Sequence, residues 1–143
     1  MTHLFDPRPV FLARHAQHVV LVHFPIALFL IGVLFDLVSR IKQDARLATT
    51  AHVNLTAAAI CVVPAYLTGL LAWRFALDGQ RLHGLLLYHM IMASATAILI
   101  LAVWWVRSRT RLQPMVAIVL ELAGALSISL TAHLGGFLSG VNS

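Results

Sequence analysis

The sequence predicts an all-α protein, an integral membrane four-helix up-down-up-down bundle, and three observations carry that prediction. Composition is the first: 60% of the 143 residues are hydrophobic and 10% are charged, against about 25% charged in soluble proteins. The mean hydropathy of +0.89 is that of a chain dissolved in lipid. The second is the length of the apolar runs. Four of them, over residues 19–38, 53–73, 85–106 and 115–138, are each long enough to cross a bilayer core as a helix. The third is the shortness of what joins them, which makes successive helices antiparallel neighbours. A chain of this length is expected to form a single domain over residues 1–143.

Each run is bounded by polar punctuation. Residues 1–18 form a lead with Pro7, Arg8, Pro9 and Arg14. The first apolar run lacks a small-x-small cleavage site and is expected to be a retained span rather than a secretion signal. Arg40, Lys42, Asp44 and Arg46 separate spans one and two; Arg74, Asp78, Gly79 and Arg81 follow span two. Span three closes on Trp104 and Trp105, side chains suited to a membrane interface. Arg107, Arg109, Arg111 and Pro114 then lead into span four. There is no internal repeat and no low-complexity tract.

The net charge of +5 reads as loop topology. No basic patch is interleaved with aromatics, so no nucleic-acid partner is expected. The first and third connections hold Arg40, Lys42, Arg46, Arg107, Arg109 and Arg111, and the other side holds Arg8, Arg14, Arg74 and Arg81. The positive-inside rule therefore predicts a multi-pass protein of the bacterial inner membrane with both termini in the periplasm. Small residues recur every four positions at Ala57, Cys61, Ala65 and Gly69, and again at Ala123, Ser127, Thr131 and Gly135. Such stripes let helices approach closely in lipid and predict tight packing, with homo-oligomerisation or docking to a larger redox complex.

Ionisable residues inside the spans carry the functional reading, because they are costly in hydrocarbon. Counting 1.5 Å per residue, His23 lies about 6 Å inside span one, His89 about 6 Å inside span three and His133 about 7 Å from the end of span four. All three are on the side of the chain termini. His18 and His83 cap the same layer, with His15 in the adjacent lead and His3 in the tail. Imidazole ligates haem iron, and two histidines on facing helices can hold a b-type haem. Small residues near the histidines, Ala27, Ala93, Gly135 and Gly136, would admit the macrocycle, and Arg74, Arg81, Arg14 or Tyr88 would meet its propionates. The preferred axial pair is His23 with His89, with His133 as substitute or hydrogen-bond partner. One haem is the simpler expectation; a second would need His18 and His83 to pair separately. The same His23, His89 and His133 could instead hold copper or zinc. The single cysteine, Cys61, rules out a CxxCH attachment site for covalent haem.

A second polar layer is expected at the opposite side. Glu121 lies about 9 Å inside span four, Asp36 is near the end of span one, and His52 opens span two. Together they form a candidate proton or quinone site. A Glu121 that pairs with His52 or a loop arginine, or that is protonated and hydrogen-bonded, would serve structure alone.

The stretch His18 to Leu28, reading HVVLVHFPIAL, with Asp36 closing the helix, resembles the opening of domain-of-unknown-function family 2231. That opening usually reads His-Pro and then Val-His-Phe-Pro-Ile-Ala-Leu; here Val19 stands in place of the proline. Gly69, Leu70 and Leu71, and the ending from Leu134 to Asn142, resemble later landmarks, without the tyrosine common after the paired glycines. The resemblance implies a four-helix bacterial membrane protein. Similar domains occur fused to or beside c-type cytochrome modules, which implies a respiratory setting. The resulting expectation is a small b-type cytochrome-like electron-transfer protein or subunit, working with quinone or a c-type cytochrome and not as an enzyme on its own. The alternatives are a cofactor-free structural or assembly subunit and a transition-metal-binding membrane protein.

Overall fold

Four helices form the bundle: α1 (Arg14–Lys42), α2 (Ala45–Ala76), α3 (Gly84–Ser108) and α4 (Pro114–Leu138). The computed structural model describes residues 14–76, 79, 81–109 and 114–139, the side chains of 14–16 and 76 excepted. All four helices are long and apolar enough to cross a membrane. Each packs along its chain neighbour, and α4 returns against α1. The result is the all-α membrane bundle that the sequence predicts. The α1–α2 and α3–α4 connections share one end, here called the loop end; the α2–α3 connection and the start of α1 share the other, the terminal end.

The helices run past the apolar stretches. Arg40, Lys42 and Arg46, expected in a loop, are helical, because Lys and Arg are good helix formers once their heads reach water. The turn is made by two residues. Gln43 adopts φ +53°, the left-handed position that ends a helix. The Asp44 N–H donates to the Ser39 carbonyl at 3.1 Å. Asp44 Oδ1 then accepts the Arg46 N–H at 2.8 Å, capping the start of α2.

The core joins all four helices through Phe29 and Val33, Leu55, Ala58, Ala59 and Val62, Ile100 and Val103, and Ile128. Its most demanding contact is between Phe29 and Gly124: a Cβ on that glycine would stand 2.6 Å from the ring's Cζ. The buried face of α2 is Ala51, Leu55, Ala58, Ala59, Val62, Ala65 and Ala72. Only Ala65 of the expected stripe is fully buried there, so that stripe is off by about one position. On α4 the stripe is nearer the mark. Ser127 and Thr131 both bond Thr96 of α3, at 2.7 and 2.8 Å, and Gly135 meets His89; Ala123 is exposed while Gly124 is buried. Large apolar side chains such as Phe24, Ile60, Ile98 and Leu126 cover the outside, the surface that lipid occupies. Trp105 is exposed beside Trp104, with the Arg109 guanidinium 4.3 Å from its ring, as expected for an interfacial anchor.

Candidate functional site: two polar layers

The terminal-end layer does not assemble as the sequence suggests. His23 is exposed on the outer face of α1, and its Nδ1–H donates to the Val19 carbonyl one turn back at 2.6 Å. His133 is exposed on α4, edge-on to Phe137 with ring centroids 4.8 Å apart. Neither turns toward His89, so the expected three-helix layer of His23, His89 and His133 is not formed. The cause is helical phase. His23 stands six residues from the buried Phe29, about 120° around α1, and His133 stands nine from the buried Gly124, about 180° around α4. Among the described residues no three His, Cys, Asp or Glu side chains converge to hold a metal ion.

His18 and His89 take the inward positions instead. His18 is eleven residues from Phe29, within about 20° of its phase. Its ring lies against α2, where a Cβ on Gly69 would come within 2.9 Å of Cε1. The Nδ1–H donates to the Ala65 carbonyl at 3.0 Å, with Thr68 Oγ1 at 3.4 Å. A carbonyl can only accept, so Nδ1 carries the proton in this bond. His89 is seven residues from the buried Thr96, on the same face of α3. Its ring lies against the Thr131 backbone and against Gly135, whose Cβ would stand 3.2 Å from Cε1. Its Nδ1 is buried and makes no hydrogen bond of good geometry.

Tyr66 Oη bonds Ser94 Oγ at 2.8 Å, which fixes the register of α2 and α3. Counting from that bond, Gly69 and His89 fall within about one helical turn in depth. His83 precedes α3 in an extended conformation, exposed and without a side-chain cap bond. Arg74 and Arg81 are exposed at the same end, the former 5.7 Å from the Phe75 ring. His3, Arg8, Arg14, His15, Asp78 and Arg111 lie outside the described side chains.

The loop-end layer is an ion-pair cluster. Arg107 Nη1 donates to both Asp36 Oδ1 at 2.7 Å and Glu121 Oε1 at 2.9 Å. Arg40 Nε donates to the other Asp36 oxygen at 2.5 Å. Asp36 is 2% exposed and Glu121 0%, so three helices are pinned by groups almost wholly removed from solvent. His52 is exposed on α2 and takes no part, which corrects its expected place beside Asp36 and Glu121. Arg107 and Arg40 stood among the loop charges used for topology; both are spent on carboxylates. Their spacing held the clue: Arg107 is eleven residues after Thr96 and Asp36 seven after Phe29, so each repeats the inward phase of its helix.

A helical membrane bundle with an inward histidine layer at one end and a buried ion-pair cluster at the other is thus the class of protein defined. Residues 14–141 match the family described as predicted membrane protein DUF2231. The chain belongs to that family. No curated protein and no solved structure matches it.

Proposed function

We propose that the chain is a small membrane b-type cytochrome-like electron-transfer protein, with His18 and His89 as the residues that hold haem non-covalently. One feature carries this reading: imidazoles of α1 and α3, at depths within about one helical turn by residue count, each packed on a glycine of the next helix. The fit is supported by three details of that arrangement. His18 donates Nδ1–H to the Ala65 carbonyl, the kind of bond that fixes ring orientation in metal-ligating histidines. His89 has a buried Nδ1 beside the Thr131 backbone with no hydrogen bond of good geometry, and buried polar groups ordinarily find a good partner. Gly69 and Gly135 let each ring lie close against the next helix, where a Cβ would stand 2.9 and 3.2 Å from Cε1. Arg74 and Arg81, exposed at the same end, supply cations for propionate carboxylates. Haem bound there would supply one-electron chemistry close to the membrane surface, where a c-type cytochrome or a quinone can reach it. His23 serves better as an outward group, since its ring turns away from the bundle.

The test is the absorption spectrum of the purified protein, expressed with added haem precursor and reduced with dithionite. The sharp α-band of a six-coordinate b-type haem is expected; a colourless protein overturns the reading. A second reading, a cofactor-free structural or assembly subunit, is favoured by the Thr96–Ser127–Thr131 hydroxyl cluster and the loop-end ion pairs, which brace the bundle without any ligand.

A further inference from the structure

The loop-end cluster treats its two carboxylates unequally. Both oxygens of Asp36 are held by guanidinium groups, Oδ1 by Arg107 and Oδ2 by Arg40. Glu121 has only Oε1 engaged, and on a nitrogen it shares with Asp36. Its Oε2 is buried and has no hydrogen-bond partner. An ionised carboxylate with a bare oxygen in a dry interior is expensive; a neutral carboxyl at the same place is much less so. Asp36 thus has both oxygens paired with a guanidinium, and Glu121 has one.

No other titratable group faces Glu121 among the described residues. From α1 come Asp36 and Arg40, from α3 Arg107, and α4 contributes Glu121 itself. At this end α2 buries Ala51 and Leu55, whereas Arg46 and His52 on it are exposed. Arg109 is turned to the Trp105 ring, and Lys42 is exposed. Arg40, with 30% of its side chain exposed, links the cluster to water at the loop end.

We propose that Glu121 is a proton-exchange site: Oε2 takes a proton from loop-end water and returns it there, while Asp36, Arg40 and Arg107 stay charged. Only an O–H bond is made or broken. Uptake moves the four-group cluster from neutral to a charge of plus one and releases the shared Arg107 nitrogen to Asp36. The site stands about 27 Å along α3 from His89, and it does not depend on haem at the other end.

Glu121 is the chain's one glutamate, so it can be observed without any substitution. Protein made by cell-free synthesis with side-chain carboxyl 13C-glutamate, placed in lipid nanodiscs, would be titrated by infrared difference spectroscopy in H2O and D2O. The labelled band should pass from carboxylic acid to carboxylate within the pH range over which the helices persist, and the acid band should shift in D2O. A labelled carboxyl that stays in one form throughout that range overturns the proposal. Asp36→Asn should keep a titrating labelled band, and Glu121→Gln, which carries no labelled glutamate, should show none.

Discussion

A Cβ on Gly124 would stand 2.6 Å from Cζ of Phe29, inside any van der Waals distance, and the ring is fully buried. Gly124→Ala should therefore destabilise the bundle by about 1–3 kcal/mol, the usual cost of overpacking. Phe29→Leu combined with Gly124→Ala should recover part of that loss, measured by reversible unfolding in mixed micelles. At the other polar extreme, Arg107→Ala would leave two buried carboxylates facing each other without their shared cation. Its expected cost is about 3–5 kcal/mol, as for one partner removed from a buried pair. Arg40→Ala should cost less, about 1–3 kcal/mol, because Asp36 loses the partner of Oδ2 but keeps Arg107 on Oδ1. Equal losses for the two arginine variants would contradict the unequal roles assigned to them.

At the scale of the helix, length and composition were legible in the sequence and azimuth was not. Apolar runs of about 20 residues locate the spans because only such runs satisfy the bilayer, and each lies within one observed helix. Depth was legible too, since it needs only the rise per residue. His23, His89 and His133 do sit toward one end. What depth omits is direction: in lipid both faces of a helix are apolar, so hydrophobic periodicity, the usual guide to the inward face, is nearly silent. The inward face is marked instead by polar and small residues in register, His89 with Thr96 and Arg107, or Glu121 with Gly124 and Ser127. Thr96 tests this. It bonds both Ser127 and Thr131, so Thr96→Val should destabilise the α3–α4 pair by about 0.6–1.7 kcal/mol, the range of interhelical hydrogen bonds in membranes. The α1–α2 turn offers the opposite sign: Gln43 holds φ +53°, and Gln43→Gly should raise the unfolding midpoint by relieving about 1 kcal/mol of left-handed strain.

For the whole molecule, the arrangement separates two chemistries along the bundle axis. Imidazoles occupy the terminal end and a carboxylate–guanidinium cluster the loop end, with an apolar core of Phe29, Leu55, Ile100 and Ile128 between them. Lipid-facing bulk on the outside and small residues with paired hydroxyls within give a frame in which polar groups are placed by packing. We propose His18 and His89, rather than His23 and His133, as the haem-holding pair. The measurement that tests it most directly is haem content per polypeptide, by pyridine haemochrome, in four single alanine variants of equal helicity. His18→Ala and His89→Ala should lose the haem or its six-coordinate spectrum, and His23→Ala and His133→Ala should keep both. Retention in the first two variants, or loss in His23→Ala alone, would contradict the account.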